Sequence, residues 1–185
     1  MKIKTLLLLA SLASSGILHA ESVDIPVLYR NPAEDVKAGQ LQAFGFYENE
    51  TRIILAFQII DLQKVMEDSK SAMSFYADTD DDLKTGRYPK NLGWDFQINV
   101  MLKRKSAVMM KWTGSKAENF NIKGKYTVSS DGDVLYITFL KSAVPGIEFR
   151  QQFKFRALQL RNNQRVDKKK SDEVFAEIFE LPADK

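Results

Sequence analysis

Residues 94–102 read Trp94-Asp95-Phe96-Gln97-Ile98-Asn99-Val100-Met101-Leu102. Successive side chains of a strand point to opposite faces. Trp94, Phe96, Ile98, Val100 and Leu102 therefore share one face, while Asp95, Gln97 and Asn99 share the other. The stretch predicts a strand with its apolar side on a core and one wet side. The same period recurs in both directions along the chain. Between 53 and 60, Ile53, Leu55, Phe57 and Ile59 alternate with Ile54, Ala56 and Ile60, as in a strand covered on both sides. Met73, Phe75 and Ala77 alternate with Ser74, Tyr76 and Asp78, and Val108, Met110 and Trp112 mark a further apolar strand face.

Tyr126 and Val128 lead through Ser130-Asp131-Gly132, a hairpin signal, into the apolar run 134–140. With Phe149, Phe153, Phe155 and Ala157 on another run, and shorter ones at 27–29 and 42–47, the chain carries about eight strands. Helical spacing is confined to two places. Leu62, Val65 and Met66 fit a short helix within 61–68. Ser171 can cap a C-terminal helix whose face is Val174, Phe175, Ile178 and Phe179. The expected fold is all-β: an antiparallel, jelly-roll-like β-sandwich with a short C-terminal helix.

The first twenty residues stand apart. Lys2 and Lys4 precede an apolar stretch, Leu6 to Leu18, that ends at His19-Ala20 before Glu21. It is shorter than the roughly 18 to 20 residues a membrane span needs. Residues 1–20 therefore read as a cleaved secretory signal, with 21–185 as one domain exported to the periplasm or the exterior and not membrane-spanning. Cleavage after Ala20 keeps the longer apolar region, and Ser11 with Ala13 offers an alternative cut after Ala13. Loss of Lys2 and Lys4 lowers the formal net charge from +3 by two. The sequence has 185 residues, no Cys and a single His, His19, inside that signal. Ser-His-Asp and Cys-His catalysis, His or Cys zinc sites and disulfides thus lack their residues in the mature chain. Carboxylate, Lys, Tyr and oxygen-ligand chemistry remain.

The segment with most chemistry is Asp78-Thr79-Asp80-Asp81-Asp82, followed by Thr85-Gly86 and Gly93-Trp94-Asp95. Crowded carboxylates repel unless a cation or water separates them, and hard cations such as Ca²⁺ take six to eight oxygens. Asp78, Asp80 and Asp82 have the alternate spacing that lets a turning loop aim carboxylates inward. A solvated hairpin turn is the plain alternative. The segment is not an EF-hand: Leu83 stands where that loop needs Gly, and Pro89 where it needs Glu.

A strand ending in aromatic-x-x-Asp-x-Asp, then Thr-Gly, then Gly-x-Asp opening the next strand, resembles the calcium loop of β-sandwiches related to family-nine carbohydrate-binding modules and DOMON domains. The resemblance covers residues 53–100. It implies a structural Ca²⁺ held by Asp78, Asp80 and Asp95, with Asp82 added from spacing, and carbohydrate as a candidate ligand.

Tyr88, between the acidic cluster and Asp95, is the candidate exposed aromatic, and Gln97 and Asn99 are candidate hydrogen-bonding partners for sugar hydroxyls. Trp94 and Trp112 are expected in the core. Two basic clusters, Lys103-Arg104-Lys105 and the run 161–170, read as solvated turns, since the small mature charge and the export signal argue against nucleic acid. An anionic glycan or lipid headgroup is their other reading. The expected function is a noncatalytic binding module. Its rivals are a cell-envelope domain that binds a protein partner and a carboxylate-type glycosidase, for which no convincing second acid pair is evident.

Overall fold

The computed structural model describes residues 2–7, 21–31, 39–67, 71–79, 82, 85, 95–113, 116–147, 154–161 and 179–180. Alternating aromatic and β-branched runs form most of the strands, as their fit to a pleated surface requires. In chain order these are β1 (Lys2–Leu7), β2 (Glu21–Arg30), β3 (Leu41–Glu48), β4 (Arg52–Ile59), β5 (Ala72–Asp78) and β6 (Phe96–Met101). They continue as β7 (Ser106–Trp112), β8 (Ala117–Asn119), β9 (Tyr126–Asp131), β10 (Val134–Leu140), β11 (Lys154–Arg161) and β12 (Phe179–Glu180). One helix, α1 (Leu62–Glu67), joins β4 to β5.

The strands lie in two sheets of six, ordered β1-β2-β3-β4-β10-β9 and β12-β11-β5-β6-β7-β8. All paired neighbours run antiparallel. This is the expected all-β sandwich. Its core lies between the inner faces, where Phe44 of β3 and Phe57 of β4 meet Phe75 of β5. Their ring centroids are 5.0 Å apart for Phe44 and Phe57, 5.9 Å for Phe44 and Phe75, and 5.5 Å for Phe57 and Phe75. Burying each such ring contributes about 1.5–3 kcal/mol, so this trio ties the sheets together.

β4 is covered on both faces, as its sequence predicts. Ile53, Leu55, Phe57 and Ile59 join the main core, while Ile54 and Ala56 join a second buried cluster with Ile25 and Tyr136. Gly45 makes that second cluster possible. A Cβ there would lie 2.9 Å from Ile25 Cγ2 and 3.0 Å from the Pro26 carbonyl oxygen, so only the missing side chain lets β2 approach.

The turn between β9 and β10 holds α1 in place. Asp133 Oδ1 accepts the Leu62 N–H at 3.1 Å, and Gln63 Nε2 donates to the Gly132 carbonyl at 2.9 Å. Leu62 is itself fully buried, which fixes the helix from below.

Two expectations change, the second in part. On β7 the core face is Ala107 and Met109, not Val108, Met110 and Trp112, because the register sets Ala107 opposite Val100 and Met109 opposite Ile98 of β6. The expected C-terminal helix lies largely outside the described residues, and Phe179, assigned to its apolar face, instead pairs as a strand with Phe155 of β11. Within the expected signal, residues 2–7 form β1 against residues 21–26 of β2, and 8–20 lie outside the described residues.

Candidate functional site

Ala77 of β5 pairs with Phe96 of β6. The next residue on each strand toward the same end of the sheet is an acid, Asp78 on one and Asp95 on the other. Both are buried: Asp78 is fully enclosed and Asp95 is 6% exposed. Asp95 is stitched in from both sides, its N–H donating to the Ala77 carbonyl at 3.2 Å and its carbonyl accepting the Trp112 N–H at 2.8 Å. Its carboxylate reaches back over the end of β5. Oδ1 accepts the Thr79 N–H at 2.9 Å and Oδ2 accepts the Thr79 hydroxyl at 2.5 Å.

Two buried carboxylates at one strand end are costly unless opposite charge or hydrogen bonds compensate them. The bonds from Thr79 supply part of that compensation at Asp95. The donor set is hard oxygen, which suits Ca²⁺. Asp82 is exposed, and its carbonyl closes a local turn with the Thr85 N–H at 3.1 Å and hydroxyl at 2.9 Å. Asp80 and Tyr88 lie outside the described residues. Among the described residues no three His, Cys, Asp or Glu side chains gather into a metal-binding group.

The polar face of β6 differs from its expected wet state. Gln97 is only 5% exposed, and Ser74, opposite Asn99 on β5, only 7%. These groups satisfy one another. Asn99 Oδ1 accepts from the Ser74 hydroxyl at 2.7 Å and from Gln97 Nε2 at 2.8 Å. Gln97 Oε1 in turn accepts from the indole N–H of Trp112 at 3.2 Å. A polar row completed in this way can be withdrawn from water at little cost.

Trp112 corrects a second expectation. It lies on the outer face of the second sheet, partly exposed, with its indole edge held by Gln97. Gln97 and Asn99 are thus brought together as predicted, but as the support of an aromatic rather than as an open row. Thr79 escaped the sequence reading, and Trp112 was assigned there to the core. The signal for Thr79 is its place just past a strand whose partner opens with an acid, and for Trp112 it is the β6–β7 register.

Comparison with models of known families, with characterised proteins and with solved structures finds no match for this chain. Among the described residues no helix is long and apolar enough to cross a membrane.

Proposed function

We propose that the chain is an exported, noncatalytic binding module in which a structural Ca²⁺ braces one end of the second sheet and carbohydrate is the ligand. Asp78, Asp80 and Asp95 would hold the ion, with Asp82 contributing from the loop. The ion would neutralise the buried acids and tie the loop after β5 to the start of β6. The observation that carries the ligand reading is Trp112, a partly exposed indole fixed by Gln97 beside the acid-bearing strand end. An aromatic face of set orientation offers apolar surface to a sugar ring, and prior ordering lowers the entropic cost of binding. In this reading Trp112 and Tyr88 touch the ligand, while Gln97 and Asn99 position the indole.

Calorimetry of the mature protein against the best hits of a glycan array, in Ca²⁺ and in EDTA, tests the proposal. The expected Kd is on the order of 0.1 to 1 mM, or about 4 to 5.5 kcal/mol. Trp112→Ala and Tyr88→Ala should weaken binding, and Tyr88→Ala should do so without lowering the melting temperature. Absence of binding to any glycan at millimolar concentration rejects the ligand class and leaves a protein partner as the better reading.

A further inference from the structure

The two large hydrophobic side chains that stand exposed among the described residues are Met101, at 36%, and Val108, at 47%. They are not scattered. Asn99 pairs with Val108 and Met101 with Ser106, so both project from the outer face of the second sheet as diagonal neighbours across β6 and β7. The turn between them is Leu102-Lys103-Arg104-Lys105. Leu102 is fully buried and its N–H donates to the Ser71 carbonyl at 3.1 Å, which anchors the turn. Lys105, at φ 48°, closes it through a 3.1 Å bond to the Leu102 carbonyl.

Lys103, Arg104 and Lys105 are all exposed on this rigid tip. The two lysines bond neutral groups: Lys103 Nζ donates to the Glu67 carbonyl at 2.9 Å and Lys105 Nζ to the Ser130 hydroxyl at 3.2 Å. Neither bond neutralises a charge. Among the described residues, the acids beside these two contacts are Glu67, met through its backbone, and Asp131, next to Ser130.

From this juxtaposition we propose that the β6–β7 tip docks the protein onto an anionic bilayer surface, with Lys103, Arg104 and Lys105 against lipid phosphates and Met101 with Val108 at the acyl boundary. A soluble polyanion would satisfy the cations and leave the apolar pair in water. A bilayer interface engages both at once, because anionic headgroups attract each Lys or Arg while the boundary below them accepts apolar side chains. The tip lies at the far end of the hairpin from Asp95 and Trp112, so docking leaves the acid-bearing end clear, and the inference does not depend on calcium or sugar binding.

Vesicle flotation provides the test, using phosphatidylcholine alone and phosphatidylcholine doped with phosphatidylglycerol. The full chain after signal removal should float with the anionic vesicles only, and added salt should release it. Lys103→Gln with Arg104→Glu should lower binding about tenfold or more. Met101→Thr with Val108→Thr keeps strand-forming residues and every charge, and should also weaken binding severalfold; Val108→Thr alone serves if the pair alters the melting curve. Equal binding to both vesicle types overturns the proposal. Wild-type binding by the threonine variants overturns it as well, because the tip would then be a simple polyanion contact.

Discussion

Thr79 gives both of its hydrogen-bond donors to the Asp95 carboxylate, whereas Thr138 of β10 keeps a buried hydroxyl with no partner among the described residues. The same side chain therefore contributes with opposite sign at two places. A hydrogen bond to a charged group is worth about 1.5–3 kcal/mol, and an unmet buried one costs about 1–3 kcal/mol. Thr79→Val removes the shorter of the two bonds to Asp95 and should cost about 1.5–3 kcal/mol in urea unfolding. Thr138→Val deletes an unpaired hydroxyl within nearly the same volume and should raise stability by about 1 kcal/mol. Should Thr79→Val leave the urea midpoint unchanged, the assignment of Asp95 as the anchor of the loop is wrong.

Pairing edges govern the next scale. Beyond β6, β7 meets only the three residues of β8, which leaves its first half open on that side. Two groups cover the gap: the Phe120 N–H donates to the Met109 carbonyl at 2.9 Å, and the Ala107 N–H donates to the Tyr126 hydroxyl at 3.2 Å. An open edge is a template for pairing with other chains, so Tyr126, carried on the opposite sheet, protects it. Tyr126→Phe should lower stability by about 1 kcal/mol and speed hydrogen exchange at the Ala107 amide, read by NMR. Unchanged exchange would count against this role. The edges also mark where the sequence stops being legible. β4, β6 and β10 carry strong apolar alternation, because at least one face must meet the core. β7 carries apolar residues on both faces, so its pattern alone cannot say which is inside; its register against β6 decides. β8, whose three residues are all exposed, has no pattern of its own and owes its pairing to β7. Gln97 and Asn99 read as solvated because polar residues in a strand usually are, and only the mutual bonds seen in three dimensions reveal why Gln97 is buried and Asn99 half-buried. Asp78 and Asp95 were joined in the sequence only through the family resemblance, and it is the β5–β6 register that sets them at one strand end.

For the whole molecule, the two sheets are held by aromatic packing without any disulfide, since the sequence has no Cys. The second sheet brings Asp78 and Asp95 into burial at one end, and there an added cation would bind the folded chain and not the unfolded one. Its effect on stability then follows from mass action: a ligand at 100 times its Kd stabilises the native state by about 2.7 kcal/mol. For a chain of this size each kcal/mol moves the melting midpoint by about 2–4 °C, so saturation with Ca²⁺ should raise it by about 5–10 °C over EDTA. Mg²⁺ should raise it less, because it demands tighter octahedral geometry and gives up its water reluctantly. Asp95→Asn keeps an acceptor for Thr79 but removes the charge, so it should abolish most of the Ca²⁺ increment while changing the EDTA midpoint little. Asp80→Ala separates the loop's share from that of the buried pair, and should also remove most of the increment. If wild type melts identically in Ca²⁺ and EDTA, the acids at this strand end are structural alone, joined through Thr79 rather than through an ion.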